Sequence, residues 1–131
     1  MSVDTGTSPV GLFTGQHVLA ELEGVEPELL DDEQFLQDTM RSALSESRAT
    51  VCQMIAERFE PQGVTVLALL SESHASMHTY PEDGSIFIDV FTCGHTAQPE
   101  QAVELIARAL KPSTVNTQTV QRGRDFAAVA S

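Results

Sequence analysis

Val64-Thr65-Val66-Leu67-Ala68-Leu69-Leu70-Ser71-Glu72-Ser73-His74-Ala75-Ser76-Met77-His78-Thr79-Tyr80, followed by Pro81-Glu82-Asp83-Gly84 and Ser85-Ile86-Phe87-Ile88-Asp89-Val90-Phe91-Thr92-Cys93-Gly94, decides the fold. Val64 to Leu70 is almost wholly apolar, which predicts a central strand. Ser73 to Tyr80 forms another strand, closed by Pro81-Glu82-Asp83-Gly84, a turn sequence. Ser85 to Phe91 is the clearest strand of the chain and ends at Thr92-Cys93-Gly94.

Towards the N-terminus, Pro61-Gln62-Gly63 is a turn and Thr50 to Phe59 reads as a short buried strand. Asp31 or Asp32 caps a helix that carries Leu36, Met40, Ala43 and Leu44 on one face and ends near Arg48. Val25 to Glu28 is a connection broken at Pro27, and His17 to Leu22 is a strand. Residues 1–14, rich in Ser, Thr, Gly and Pro, form a flexible lead-in. Towards the C-terminus, Pro99 to Leu110 is a helix with a broad apolar face, stopped by Pro112; Ser113 to Arg122 is a last strand. Residues 15–123 are one domain and 124–131 a tail. The pattern is α+β, a two-layer sandwich with helices packed on one face of a mostly antiparallel sheet.

Composition narrows the function. The 131 residues carry 7 Lys plus Arg against 19 Asp plus Glu, a formal net charge of -12. Such a surface repels a phosphate backbone, so neither nucleic acid nor an anionic membrane is an expected partner. A chain of this length buries one real core without disulfides, and Cys52 and Cys93 are too few for a disulfide framework. No secretory signal and no apolar run of membrane-spanning length is present, so the expected location is cytoplasmic. Lys111 is the only lysine, so any pyridoxal phosphate enzyme would have to use it.

Reactive side chains gather between Ser71 and His95. His74, Ser76 and His78 share one strand face. A solvated sheet face that holds two histidines is the ordinary explanation. A zinc site from His74, His78, Cys93 and His95 has suitable ligand types but no familiar spacing, so no metal is expected. A serine hydrolase on Ser73 lacks the Gly-x-Ser-x-Gly elbow.

Four ordered blocks account for the whole cluster: Phe59-Glu60-Pro61-Gln62-Gly63-Val64-Thr65, Leu70-Ser71-Glu72-Ser73-His74, Met77-His78-Thr79-Tyr80-Pro81-Glu82 and Asp89-Val90-Phe91-Thr92-Cys93-Gly94. Together they closely resemble the prokaryotic S-adenosylmethionine decarboxylase proenzyme family. The similarity extends from Gly15-Gln16-His17 to Arg122-Gly123.

The resemblance implies a precursor that cuts itself between Glu72 and Ser73. The Ser73 hydroxyl attacks the Glu72 carbonyl, and elimination with hydrolysis leaves a pyruvoyl group made from Ser73, the cofactor. A pyruvoyl ketone forms a Schiff base with the substrate amine, in keeping with the single lysine. The implied reaction decarboxylates S-adenosylmethionine to the aminopropyl donor for spermidine. By the same resemblance His78 moves the proton at the elimination, and Thr65 positions the ester. Cys93 reprotonates the substrate α-carbon, the task of a general acid. Glu82 accepts hydrogen bonds from the ribose hydroxyls, and Phe59 stacks on the adenine. Glu21 matches an acidic residue of the first strand. A homodimer of cleaved two-chain protomers is implied, each site drawing residues from both protomers.

The chain departs from the family pattern at Tyr80, where Trp is usual, and at Val66, Val25 and Glu57, where Gly, Cys and His are common. These positions touch the substrate pocket more than the bond that is cut. The alternatives are therefore the same chemistry on a basic amino acid such as ornithine or arginine, and a non-processing relative that binds a nucleoside or a protein partner.

Overall fold

Every internal strand alternates between side chains packed under helices and side chains left on an open surface, and that alternation sets the architecture. The computed structural model describes residues 12–125. In chain order the elements are β1 (Leu12–Glu23), α1 (Pro27–Leu30), α2 (Glu33–Glu46), β2 (Val51–Arg58), β3 (Val64–Leu70), β4 (Ser73–Tyr80), β5 (Ser85–Cys93), α3 (Pro99–Leu110) and β6 (Thr114–Asp125). The six strands lie in the order β2-β3-β4-β5-β1-β6, with every neighbouring pair antiparallel. This is the expected α+β sandwich.

The core forms where the apolar stripe of each long helix meets the covered face of the sheet. Leu36, Met40 and Leu44 of α2 and Val103, Ile106 and Leu110 of α3 pack against Val18, Val66, Met77 and Ile86. Each such side chain contributes about 1.5–3 kcal/mol by leaving water. Asp32 caps α2 by accepting a hydrogen bond from the Phe35 N–H at 3.0 Å. The buried Thr79 hydroxyl donates to the Leu30 carbonyl at 2.6 Å and accepts from the Val64 N–H at 2.8 Å, which ties α1 to the sheet.

Several boundaries differ from the sequence reading. Pro27 starts a one-turn helix, α1, rather than breaking the chain; proline at the first helical position loses no hydrogen bond. β1 begins at Leu12 and β6 runs to Asp125, because the two strands pair along their whole length. The expected lead-in thus gives residues 12–14 to the sheet and the expected tail gives 124–125. The rest of both lies outside the described residues. α2 ends at Glu46, and Arg48 turns the chain with a positive φ of 66°.

The larger correction concerns β3. It stands next to the β2 edge, and only its Val64, Val66, Ala68 and Leu70 side lies under helices. Leu67 and Leu69 are 46% and 54% exposed on the other side, near Ile55 of β2 at 63%. The run is apolar on both faces, but helices cover only one.

Candidate active site

The hairpin between β3 and β4 turns on Ser71 and Glu72, so the Glu72–Ser73 bond sits at the mouth of a strand. Both ends of Glu72 are held. Its side-chain Oε1 accepts from the Thr50 N–H at 3.0 Å, and its backbone carbonyl accepts from the Cys93 N–H at 3.1 Å. The carbonyl that would be attacked is therefore already polarised by a fixed donor. Cys93 ends β5 with an exposed thiol. Gly15 lies opposite it across β1 and β5. A Cβ at Gly15 would stand 2.8 Å from the Thr92 carbonyl oxygen and 3.3 Å from Cys93 Sγ, so glycine keeps the space beside the thiol open.

Next to this bond, on the open face, β1, β4, β5 and β6 bring together five polar side chains, His17, His74, Ser76, Asp89 and Arg122. Asp89 of β5 accepts from His17 Nε2 at 2.6 Å and from His74 Nε2 at 3.1 Å, and also from the Ser76 hydroxyl. Burial of Asp89 opposes its ionisation, yet the hydrogen bonds from Ser76, His17 and His74 outweigh it and hold the carboxyl below its ordinary value. Arg122 of β6 stands 3.3 Å from His17 Nδ1 and stacks 4.6 Å from the centre of the Phe91 ring. Arginine only donates, so His17 Nδ1 accepts and its Nε2 carries the proton given to Asp89. His74 Nδ1 faces the Ser73 hydroxyl at 3.4 Å.

The ligand atoms of His17, His74 and Asp89 lie within 4.8 Å of one another. His17 and His74 both turn Nε2 to Asp89, which also accepts from Ser76, and His17 Nδ1 faces Arg122, so of these ring nitrogens His74 Nδ1 alone points out of the network, towards Ser73. The zinc reading on His74, His78, Cys93 and His95 does not assemble: these four form no such cluster among the described residues. His78 stands four positions along β4 from His74, about 13 Å at the strand rise.

His78 belongs to a second group. Its Nδ1 is hydrogen-bonded to the Thr65 hydroxyl at 3.0 Å, so two of the expected residues meet as a pair. The register continues the row across the sheet from Thr65 through His78 and Phe87 to Glu21. Tyr80 packs on Phe87 with ring centres 5.1 Å apart. Glu82, exposed in the β4–β5 turn, and Phe59, 49% exposed just after β2, lie at this end of the sheet. Asp31 fixes the Phe59 turn by accepting from the Gly63 N–H at 2.9 Å and from Arg58 at 2.8 Å.

The expected site residues thus divide. Glu72, Ser73 and Cys93 meet at one end of the open face; Thr65, His78, Glu21, Phe59 and Glu82 lie towards the other. Sequence reasoning gave Gly15, His17, Asp89 and Arg122 no role and considered His74 only as a ligand in the zinc reading. The available signal was a carboxylate in the apolar run Ile86 to Phe91 and a histidine opening an apolar strand.

Comparison with known proteins makes the class of the chain that of a carboxy-lyase. Residues 16–123 match the model of the S-adenosylmethionine decarboxylase family, and the chain belongs to that family. It is 46% identical over 110 residues to the S-adenosylmethionine decarboxylase proenzyme of Prochlorococcus marinus, covering 84% of this chain and 88% of the relative. It is 44% identical over 109 residues to the proenzyme of Brevibacillus brevis, covering 83% and 82%. The crystal structure of the Aquifex aeolicus adenosylmethionine decarboxylase superposes with a TM-score of 0.80 at 32% identity, covering 86% of this chain and 92% of that one. These matches bear out the resemblance carried by the four blocks and do not favour the basic-amino-acid or binding-only readings. Among the described residues no helix is long and apolar enough to cross a membrane.

Proposed function

We propose that this chain is a precursor that cuts itself between Glu72 and Ser73, that Ser73 becomes a pyruvoyl group, and that the chains 1–72 and 73–131 together decarboxylate S-adenosylmethionine. The observation that carries this reading is the Cys93 N–H on the Glu72 carbonyl at 3.1 Å. It stands where negative charge would develop as the Ser73 oxygen adds to that carbonyl. The site also fits the group, because Ser73 is part-exposed and Gly15 leaves the thiol of Cys93 uncrowded. When formed, the pyruvoyl ketone supplies a carbonyl that takes the substrate's amine and accepts the electrons released with carbon dioxide.

The remaining residues act around it. Cys93 delivers a proton to the substrate α-carbon. His78, with Thr65 on its Nδ1, moves the proton at the elimination, while Phe59 and Glu82 hold the adenine and ribose and Glu21 adds negative charge near a cationic substrate.

Those roles need two copies of the chain. His78 is five positions along β4 from Ser73, about 16 Å within one chain, and a proton moves over hydrogen-bond distance. A second copy that packs its open face on the first and runs in the opposite sense carries its own Thr65–His78 row to Ser73. The uncovered apolar residues Leu67, Leu69, Ile55 and Phe87 support this packing.

The test is the intact mass of freshly made protein under denaturing conditions. Two fragments split before Ser73 are expected, the second lighter by one ammonia than plain residues 73–131, and the Ser73→Ala chain should stay whole near 14.2 kDa. Wild-type protein that stays whole on long incubation contradicts the proposal.

A further inference from the structure

The self-cleavage above begins with loss of the Ser73 hydroxyl proton, and neither Cys93 nor the Thr65–His78 pair of the same chain is placed to take it. Within one chain the nearest nitrogen base is His74 Nδ1, 3.4 Å from Ser73 Oγ. Contacts of this kind are often long before the reacting atoms are drawn together. The far side of the ring is fixed, since His74 Nε2 meets Asp89 Oδ2 at 3.1 Å. Asp89 is a constant acceptor there, with Ser76 and His17 also donating to it and its carboxyl held below the ordinary value by hydrogen bonds that outweigh its burial. An ionised carboxylate puts the ring proton on Nε2 and leaves the Nδ1 lone pair facing the serine. The other groups around the ring are His17 and Phe91, 5.7 Å and 5.8 Å away between centres, and Arg122 behind His17. His17 is unavailable as a base: Nδ1 faces Arg122 and Nε2 faces Asp89.

We propose that His74, oriented by Asp89, is the catalytic base of the acyl shift that opens self-cleavage. The inference rests on the self-cleavage proposed above. Ser73 Oγ bonds to the Glu72 carbonyl carbon as its proton passes to His74 Nδ1, and the charge formed on the Glu72 oxygen is met by the Cys93 N–H. The adduct collapses by breaking the Glu72 C–N bond, and the Ser73 nitrogen recovers the proton from His74. The product is an ester with a free amine, an isomer of the starting peptide, so no co-reactant is consumed. Two histidines then divide the work, His74 before the ester and His78 after it.

This division gives the test. Wild-type, Ser73→Ala, His74→Gln, Asp89→Asn and His78→Ala precursors are made by cell-free synthesis and followed by denatured mass, with and without neutral hydroxylamine, which cuts esters. His74→Gln should slow cleavage at least about 100-fold, and hydroxylamine should release no 1–72 fragment because no ester has formed. His78→Ala should also stay whole, yet split at residue 72 when hydroxylamine is added. Asp89→Asn, which keeps His74 but removes its anchor, should slow cleavage about tenfold and resist hydroxylamine. It supplies the answer if the His74→Gln chain does not fold. Cleavage of a folded His74→Gln chain at the wild-type rate, a hydroxylamine-labile His74→Gln chain, or a wild-type rate for Asp89→Asn each overturns the assignment. Wild-type protein that never cuts overturns the self-cleavage reading itself, and the role of His74 with it.

Discussion

At the Ser73 end of the open face, β1, β4, β5 and β6 put side chains into direct hydrogen-bond contact, with Asp89 receiving three donors and Arg122 closing the far side of His17. At the other end Thr65 and His78 are joined as a pair on the open face, and the exposed side chains around them are Leu67, Phe87 and Tyr80. The first region is a polar network beside the Glu72–Ser73 bond, and the second histidine, His78, lies outside it. The second offers a preset hydroxyl–imidazole pair on an apolar surface with nothing of its own chain to act on. On the proposed self-cleavage the difference means that one chain would carry two half-sites, and the apolar surround of the second is the surface on which we propose that another copy settles.

The largest effect that would break this comparison comes from charging the open face. Leu67→Glu leaves the helix-covered core intact but should yield a monomer by light scattering and abolish self-cleavage; a cut monomer would show that one copy suffices. Cys93→Ala separates the steps within the Ser73 end. Its backbone N–H remains, so the chain should still be cut, while carbon dioxide release falls by about 100-fold or more. Full activity in that variant would remove the thiol from the reaction. Glu82→Gln sharpens the assignment of the second region. A lost charge-assisted hydrogen bond should raise KM about tenfold with kcat little changed, and an unaltered KM would take the ribose contact away from Glu82.

Much of this was legible in the sequence, and the rest was hidden for physical reasons. The strands β3, β4 and β5, the Asp32 cap and the span of α3 follow from apolar runs, turn residues and a single prolyl start. Thr14, Gly15 and Gly123 read as loop by local preference, but pairing along β1 and β6 makes them strand, a case of long-range hydrogen bonding overriding composition. Glu72, Ser73, His78 and Cys93 were legible because they lie in short contiguous blocks. His17 and Arg122 were not: they reach the site only through sheet register, across 72 residues from Asp89 in one case and 105 from His17 in the other. The double-faced apolar character of β3 pointed to a buried central strand because burial within a single chain is what such a pattern ordinarily reports.

The central claim is that Ser73 of one copy is served by the Thr65–His78 pair of another, and mixing two inactive variants tests it most directly. Ser73→Ala and His78→Ala chains, each whole when made alone, are synthesised together and weighed after denaturation. The His78→Ala chain should then split before Ser73, because its intact serine meets the intact histidine of the Ser73→Ala copy, while the Ser73→Ala chain stays whole. If both remain whole under conditions in which wild-type protein is fully cut, the two half-sites do not meet across copies and the account is contradicted.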